Sequence, residues 1–194
     1  MPFLSKTATQ QVAAGGGGNY LNPGKLPSGG SFRFALLTDE PLEMFEVWGE
    51  TAEGKSKPFR FIEEPTAEDI EAEFGPDYHR RDNRFGEGLE PVKFVIACPV
   101  FSYESNSVAI LSLAQKTLIR ELDSISQEPD FENLMDWDFS ISKEGSALLT
   151  EYKIRPLPAK ADRAELKEIY RKAVADGFDI KQLISGGNPF PPTK

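Results

Sequence analysis

The sequence predicts a mainly β fold, a small Greek-key barrel with one helix inserted among its strands and a helical extension at its C-terminal end. Three observations carry that expectation. Several short segments alternate apolar and polar residues at the strand period of two. One segment in their midst, from Leu113 to Leu122, has helical spacing. Clusters of Gly, Pro and Asn punctuate the chain between segments, as turns require. With 194 residues, 39% hydrophobic, the chain suffices for one principal core with tails. It divides into a flexible glycine-rich arm over residues 1–30, a β domain over 31–157, and a C-terminal helix with a proline-rich tail over 158–194.

Regular structure begins at Ser31–Leu37, where Phe32, Phe34 and Leu36 share one face and Arg33 takes the other. A second strand follows around Met44–Trp48. Lys57–Ile62 again alternates ring and charge, and Pro58, which cannot donate to a ladder, places it at an edge. From Glu63 to Glu90 the chain turns acidic and then basic. It reads as a long insertion with a helical turn at Ala67–Phe74 and, at that length, as either functional or disordered. The strongest β signal, Val92–Tyr103, turns through Glu104-Ser105-Asn106-Ser107 into Val108–Leu111. Ser112, with Gln115 three residues on, suits a capping box for a helix bearing Leu113, Leu118, Leu122 and Ile125. Asp136–Ile141 and Leu148–Arg155 form a second hairpin around Lys143–Ser146, and Pro156 with Pro158 ends the sheet. A polar helix, Asp162–Val174, is capped by Asp162 and stopped by Gly177. About five principal strands with one helix before the last two is the order of a barrel of the oligonucleotide-binding (OB) type, whose helix plugs one end. A generic β-sandwich accommodates the same order.

The search for chemistry is mostly negative. One cysteine, Cys98, and one histidine, His79, exclude a disulfide framework and an all-protein zinc or iron–sulfur cluster. Cys98 lies in the apolar run Val95–Phe101 and reads as a buried small hydrophobe. Phosphate-loop, nucleophile-elbow, His-Glu-x-x-His and Cys-x-x-Cys motifs are absent from the sequence, so neither an enzyme nor a cofactor is expected. Asp136 and Asp138, two apart on a strand, share a face that could hold a divalent cation, although such pairs in an acidic protein are usually solvated. Without an apolar run long enough for a membrane span, or a signal-peptide core at Met1–Lys6, the chain reads as soluble and cytoplasmic.

Charge is more informative by distribution than by sum. The net −9 argues against nucleic acid, yet residues 1–34 carry Lys6, Lys25 and Arg33 and no carboxylate. Lys55, Lys57 and Arg60 form a second basic stretch, and Arg80, Arg81 and Arg84 a third, between the acidic blocks 35–54, 63–77 and 127–139. Such alternation builds a basic groove between acidic faces, or ordinary solvated loops. Rings are interleaved with these cations in Phe32-Arg33-Phe34, Phe59-Arg60-Phe61, Tyr78-His79-Arg80-Arg81, Arg84-Phe85 and Lys93-Phe94. Single-stranded nucleic acid is held by that mixture, bases stacking on rings while cations track phosphates. The candidate contacts are Arg33, Trp48, Lys55, Lys57, Phe59, Arg60, Arg80, Arg81, Arg84, Phe85, Lys93 and Tyr103. Most phenylalanines belong to the core. Trp48 either points outward beside Arg60, with Phe45 and Val47 inside, or lies inward with Met44.

The segment Val108-Ala109-Ile110-Leu111-Ser112-Leu113-Ala114-Gln115-Lys116-Thr117-Leu118, the later Trp137, then Phe139–Gly145 and Leu149-Thr150-Glu151-Tyr152-Lys153-Ile154-Arg155-Pro156 together resemble the single-stranded DNA-binding proteins of tailed phages, of the marine and cyanophage type. That family has a strand, a Leu-x-x-Gln-Lys-Thr-Ile helix start, a Trp-Gly-Asp-Pro turn and a strand ending Thr-x-Tyr-x-Val-x-Pro. The likeness spans roughly residues 19–158, with Met135-Asp136-Trp137-Asp138-Phe139 standing where the family often has its glycine–proline turn. The resemblance implies an OB barrel without metal or catalysis that coats displaced strands during replication and recombination. It favours Trp48 as an outward stacking ring. Replication or recombination proteins docking at Asn188-Pro189-Phe190, and further copies of the chain, are the other partners it suggests. An alternative is a phage structural or assembly protein whose glycine-rich arm docks on neighbouring subunits.

Overall fold

The computed structural model describes residues 19–84 and 86–191; the glycine-rich run Gly15–Gly18 and Phe85 lie outside the described residues. In chain order the strands are β1 (Tyr20–Leu21), β2 (Ser31–Leu36), β3 (Leu42–Glu50), β4 (Ser56–Phe61), β5 (His79–Arg80), β6 (Lys93–Ser102), β7 (Ser107–Leu113), β8 (Asp138–Glu144) and β9 (Glu151–Leu157). The helices are α1 (Ala67–Phe74), α2 (Lys116–Ser126) and α3 (Arg163–Ala175). The fold is mainly β, as the alternation predicts. The chain forms two compact units, 19–40 with Cys98–Ala173, and Pro41–Ala97 with 174–191. The segment 31–157 therefore contributes strands to both.

In the first unit the strand order is β1-β7-β6-β2-β8-β9, antiparallel except for the parallel pairing of β1 with β7. This sheet does not close into the expected barrel: β1 and β9 end the path and are not paired with each other. Phe32, Phe34 and Leu36 are buried on one face as the period of two requires, with Phe34 stacked on Phe139 at 5.8 Å between centroids. The opposite face is covered too. Ala35 and Phe101 pack beneath Leu166 of α3, so the strand is covered on both sides where simple alternation predicts one. Ser112 is not a helix cap. Leu111 and Leu113 are both fully buried, which carries β7 through Leu113, and α2 begins at Lys116 after Gln115 without a side-chain cap. Leu118 and Leu122 of α2 are buried, and Glu121 accepts the Ile154 N–H at 3.2 Å, covering a backbone donor of β9. Asp162 caps α3 by accepting the Glu165 N–H at 3.0 Å, as its position predicts.

Asp138 overturns the reading of a paired, solvated carboxylate. Asp136 is exposed in a 3-10 turn, whereas Asp138 opens β8 fully buried. Burial is tolerated because Arg33 Nε donates to it at 2.7 Å, Arg163 Nη2 at 2.7 Å, the Tyr103 hydroxyl at 2.9 Å and the Lys160 N–H at 3.1 Å.

In the second unit β3 is central and pairs with β4, β5 and residues 93–97 of β6. Among the described residues β4 pairs with β3 alone and is the edge that Pro58 predicts. Thr66 and Asp69 form a capping box that starts α1, and the bonds from Thr66 hold the Asp69 carboxyl below the usual range. Ile70 and Phe74 of α1 then pack on Val47 and Phe59. Gly49 makes this packing possible, since a Cβ there would sit 2.7 Å from the Phe59 ring. Phe178 and Leu183 are buried, and Phe190 packs on Phe178 at 5.4 Å, so Asn188-Pro189-Phe190 is folded back. Cys98 is buried, and burial pushes its thiol up to about 12.

Removing the charge at the centre of the first unit tests this description. Asp138→Asn should lower unfolding free energy by about 3–5 kcal/mol, as breaking a buried pair does, read from the denaturant midpoint.

Candidate nucleic-acid interface

Nine of the eleven described candidate contacts belong to the second unit; Phe85 lies outside the described residues. The exceptions, Arg33 and Tyr103, lie in the first unit and serve Asp138; Arg33 also donates to the Pro158 carbonyl at 2.7 Å. Burial, and then the bond to Asp138, raises the Tyr103 hydroxyl above its ordinary range.

On the face of β3 that carries Glu46 and Trp48, cross-strand register brings Arg60 of β4 opposite Glu46. Glu46 accepts from Arg60 Nε at 3.1 Å and from the Trp48 indole at 3.0 Å. Arg60 also donates to the Leu183 carbonyl at 3.3 Å. Trp48 is half-buried, and the group over its ring is the Arg81 guanidinium, 4.6 Å from the centroid, where the sequence favours Arg60. Met44 and Val47 are both buried while Phe45 is half-buried against Phe94, so neither sequence alternative for this strand holds as a whole.

Glu90 organises the cations that follow α1. It is buried, Arg81 and Lys93 both pair with it, and Arg80 Nε donates to its carbonyl at 2.9 Å. Burial by itself would raise this carboxyl, but the bonds and charges of Lys93 and Arg81 outweigh that and hold it below the usual glutamate range. Phe59 is core. Lys55 is exposed and pairs with Glu53 at 3.1 Å, an arrangement worth little in solvent.

Of the candidate cations, three form no ion pair with a carboxylate among the described residues: Lys57, Arg84, and Arg80, whose Nε is held by the Glu90 carbonyl. Lys57 is exposed on the edge strand β4, its Nζ 4.4 Å from the Phe59 centroid and 4.6 Å from that of Tyr78. Arg84 is exposed at a turn. Tyr78, absent from the candidate contacts, joins the cluster because its ring packs on Phe59; its signal was the Tyr78-His79-Arg80-Arg81 run. Beside α1 a groove of about 500 Å³ runs between Ile70, Phe74, Tyr78 and Leu89, and a smaller cleft of about 280 Å³ separates Lys57–Arg60 from Leu183–Gly186.

Among the described residues no group of three His, Cys, Asp or Glu side chains could hold a metal ion, and no helix is long and apolar enough to cross a membrane. Comparison with family models, with curated proteins and with solved structures finds no match to this chain.

The depressed Glu90 carboxyl has a definite pH signature. Its pairing contributes stability that is present in full above the ordinary glutamate range and is lost as pH falls through the depressed value. Denaturant midpoints measured against pH should therefore fall less steeply on acidification for Glu90→Gln than for the native chain.

Proposed function

We propose that the chain is a non-catalytic single-stranded DNA-binding protein, its sheet an opened variant of the OB arrangement, and that the strand lies along the β4 edge of the second unit. The observation that carries the reading is Lys57. It is an exposed cation on an edge strand, held over two rings with no carboxylate partner among the described residues. Phe59 is core, so the half-buried Tyr78 is the ring left to a base while Lys57 supplies the charge for its phosphate. Trp48 with Arg81 repeats the pairing on the neighbouring strand, and Arg84 adds a free charge. The α2 helix, standing between β7 and β8, and the likeness to the phage proteins over roughly residues 19–158 support the same reading.

Titration of tryptophan fluorescence with oligo-dT, with duplex as competitor, tests it. Single strands should win by a wide margin, and comparable binding to blunt duplex overturns the proposal. Lys57→Ala with Arg84→Ala should flatten the slope of log affinity against log salt by about 0.7 for each phosphate no longer engaged. The triple change of Arg80, Arg81 and Arg84 should flatten it no further than Arg80 and Arg84 warrant, because the Glu90 carboxylate already pairs with Arg81. Trp48→Ala should cost about 1–3 kcal/mol of affinity if a base stacks there. An unchanged affinity with a lowered denaturant midpoint removes Trp48 from the interface.

A further inference from the structure

Leu148 and Leu149 are the most exposed large apolar side chains among the described residues, at 90% and 82%. They sit on the connection between β8 and β9, and the backbone holds them there. Gly145 has φ +75°, and a Cβ at that position would lie 2.1 Å from the Leu149 carbonyl oxygen, so only glycine fits. Ala147 adopts φ 50°, a left-handed conformation that alanine reaches only at a cost. Two bonds close the turn, Leu149 N–H to Ser146 O at 3.0 Å and Thr150 N–H to Ala147 O at 3.3 Å. The hairpin's last rung sets Glu144 directly opposite Glu151, and neither forms an ion pair among the described residues. Like charges facing each other are destabilising, so this rung is short of a cation. Two carboxylates beside the leucines also make nucleic acid an unsuitable occupant.

The chain carries a complementary surface. The groove beside α1 is walled by Ile70, Phe74, Tyr78 and Leu89, with Leu89 itself 53% exposed. Its rim holds Arg80 together with Glu71 and Asp82. We propose that Leu148 and Leu149 of one copy seat in this groove on a second copy. Glu144 and Glu151 then meet Arg80, and Lys153, exposed on the same face of β9 as Glu151, meets Glu71 and Asp82. Knob and groove are different surfaces of one chain. The contact is therefore heterologous, and it propagates into an open row of copies unless the rotation closes a ring. This inference stands on apolar and charged surface and does not rest on the DNA reading.

Cross-linking between singly substituted full-length chains tests it. Cys98 is buried with its thiol pushed up to about 12, so introduced thiols are the reactive ones. Leu149→Cys, carrying a size tag, is mixed with untagged Leu89→Cys and mildly oxidised without DNA. The heterodimer should form well in excess of random pairing, and Glu144→Lys added to the tagged chain should abolish the excess. Heterodimer at the random level, or tagged homodimer in excess, overturns the proposal. Sedimentation velocity gives a second reading. The native chain should sediment faster as concentration rises, and Leu148→Ser/Leu149→Ser should not, with its denaturant midpoint unchanged. A native chain that stays monomeric, or a double variant that associates equally, also overturns it. Oligo-dT binding measured on the same variants keeps the outcome separate from that of the DNA proposal.

Discussion

Asp138 carries a charge that water no longer solvates, and the geometry of the first unit follows from what replaces that water. An ionised carboxylate loses several kcal/mol on burial unless cations and hydrogen bonds take over. Here the replacements come from β2 through Arg33, from the residue after β6 through Tyr103, from the stretch after β9 through the Lys160 N–H, and from α3 through Arg163. Each of these elements supplies one of the four donors that hold the charge. That requirement seats the C-terminal helix on the back of β2, where Leu166 completes an apolar layer with Ala35 and Phe101. A face open to solvent in a simple alternating strand becomes an interior one.

The same logic sorts the cations of the second unit. Charge blocks that alternate along the chain are brought together in pairs by the sheet, Glu46 with Arg60 across the β3–β4 register, and Glu90 with Arg81 and Lys93. A guanidinium held by a half-buried carboxylate offers little field to a phosphate, whereas one facing solvent offers most of it. On the proposed reading, the footprint available to an anionic strand is accordingly narrower than a count of basic residues implies. It contracts to the β4 edge and the turn after Asp82, where Lys57 and Arg84 lack carboxylate partners among the described residues. Rings remain beside those charges because Gly49 lets Phe59 drop close to β3, and Tyr78 closes on Phe59 from the other side.

Local pattern determined the elements. The period of two in Phe32, Phe34 and Leu36, the Pro58 edge, the helical turn at Ala67–Phe74, the Asp162 cap and the burial of Cys98 are all legible in the sequence, because each depends on residues within a few positions of one another. The candidate interface was legible as composition, rings interleaved with cations, and less so as individual roles. Tertiary structure alone decided that Arg33 and Tyr103 serve Asp138, that Arg81 rather than Arg60 covers Trp48, that β7 continues through Ser112, and that the sheet stays open. These outcomes turn on contacts between residues far apart in the chain, 105 positions for Arg33 and Asp138. Whether a given arginine meets a carboxylate or water depends on which strands pair and in what register, and hydrophobic periodicity carries no record of that.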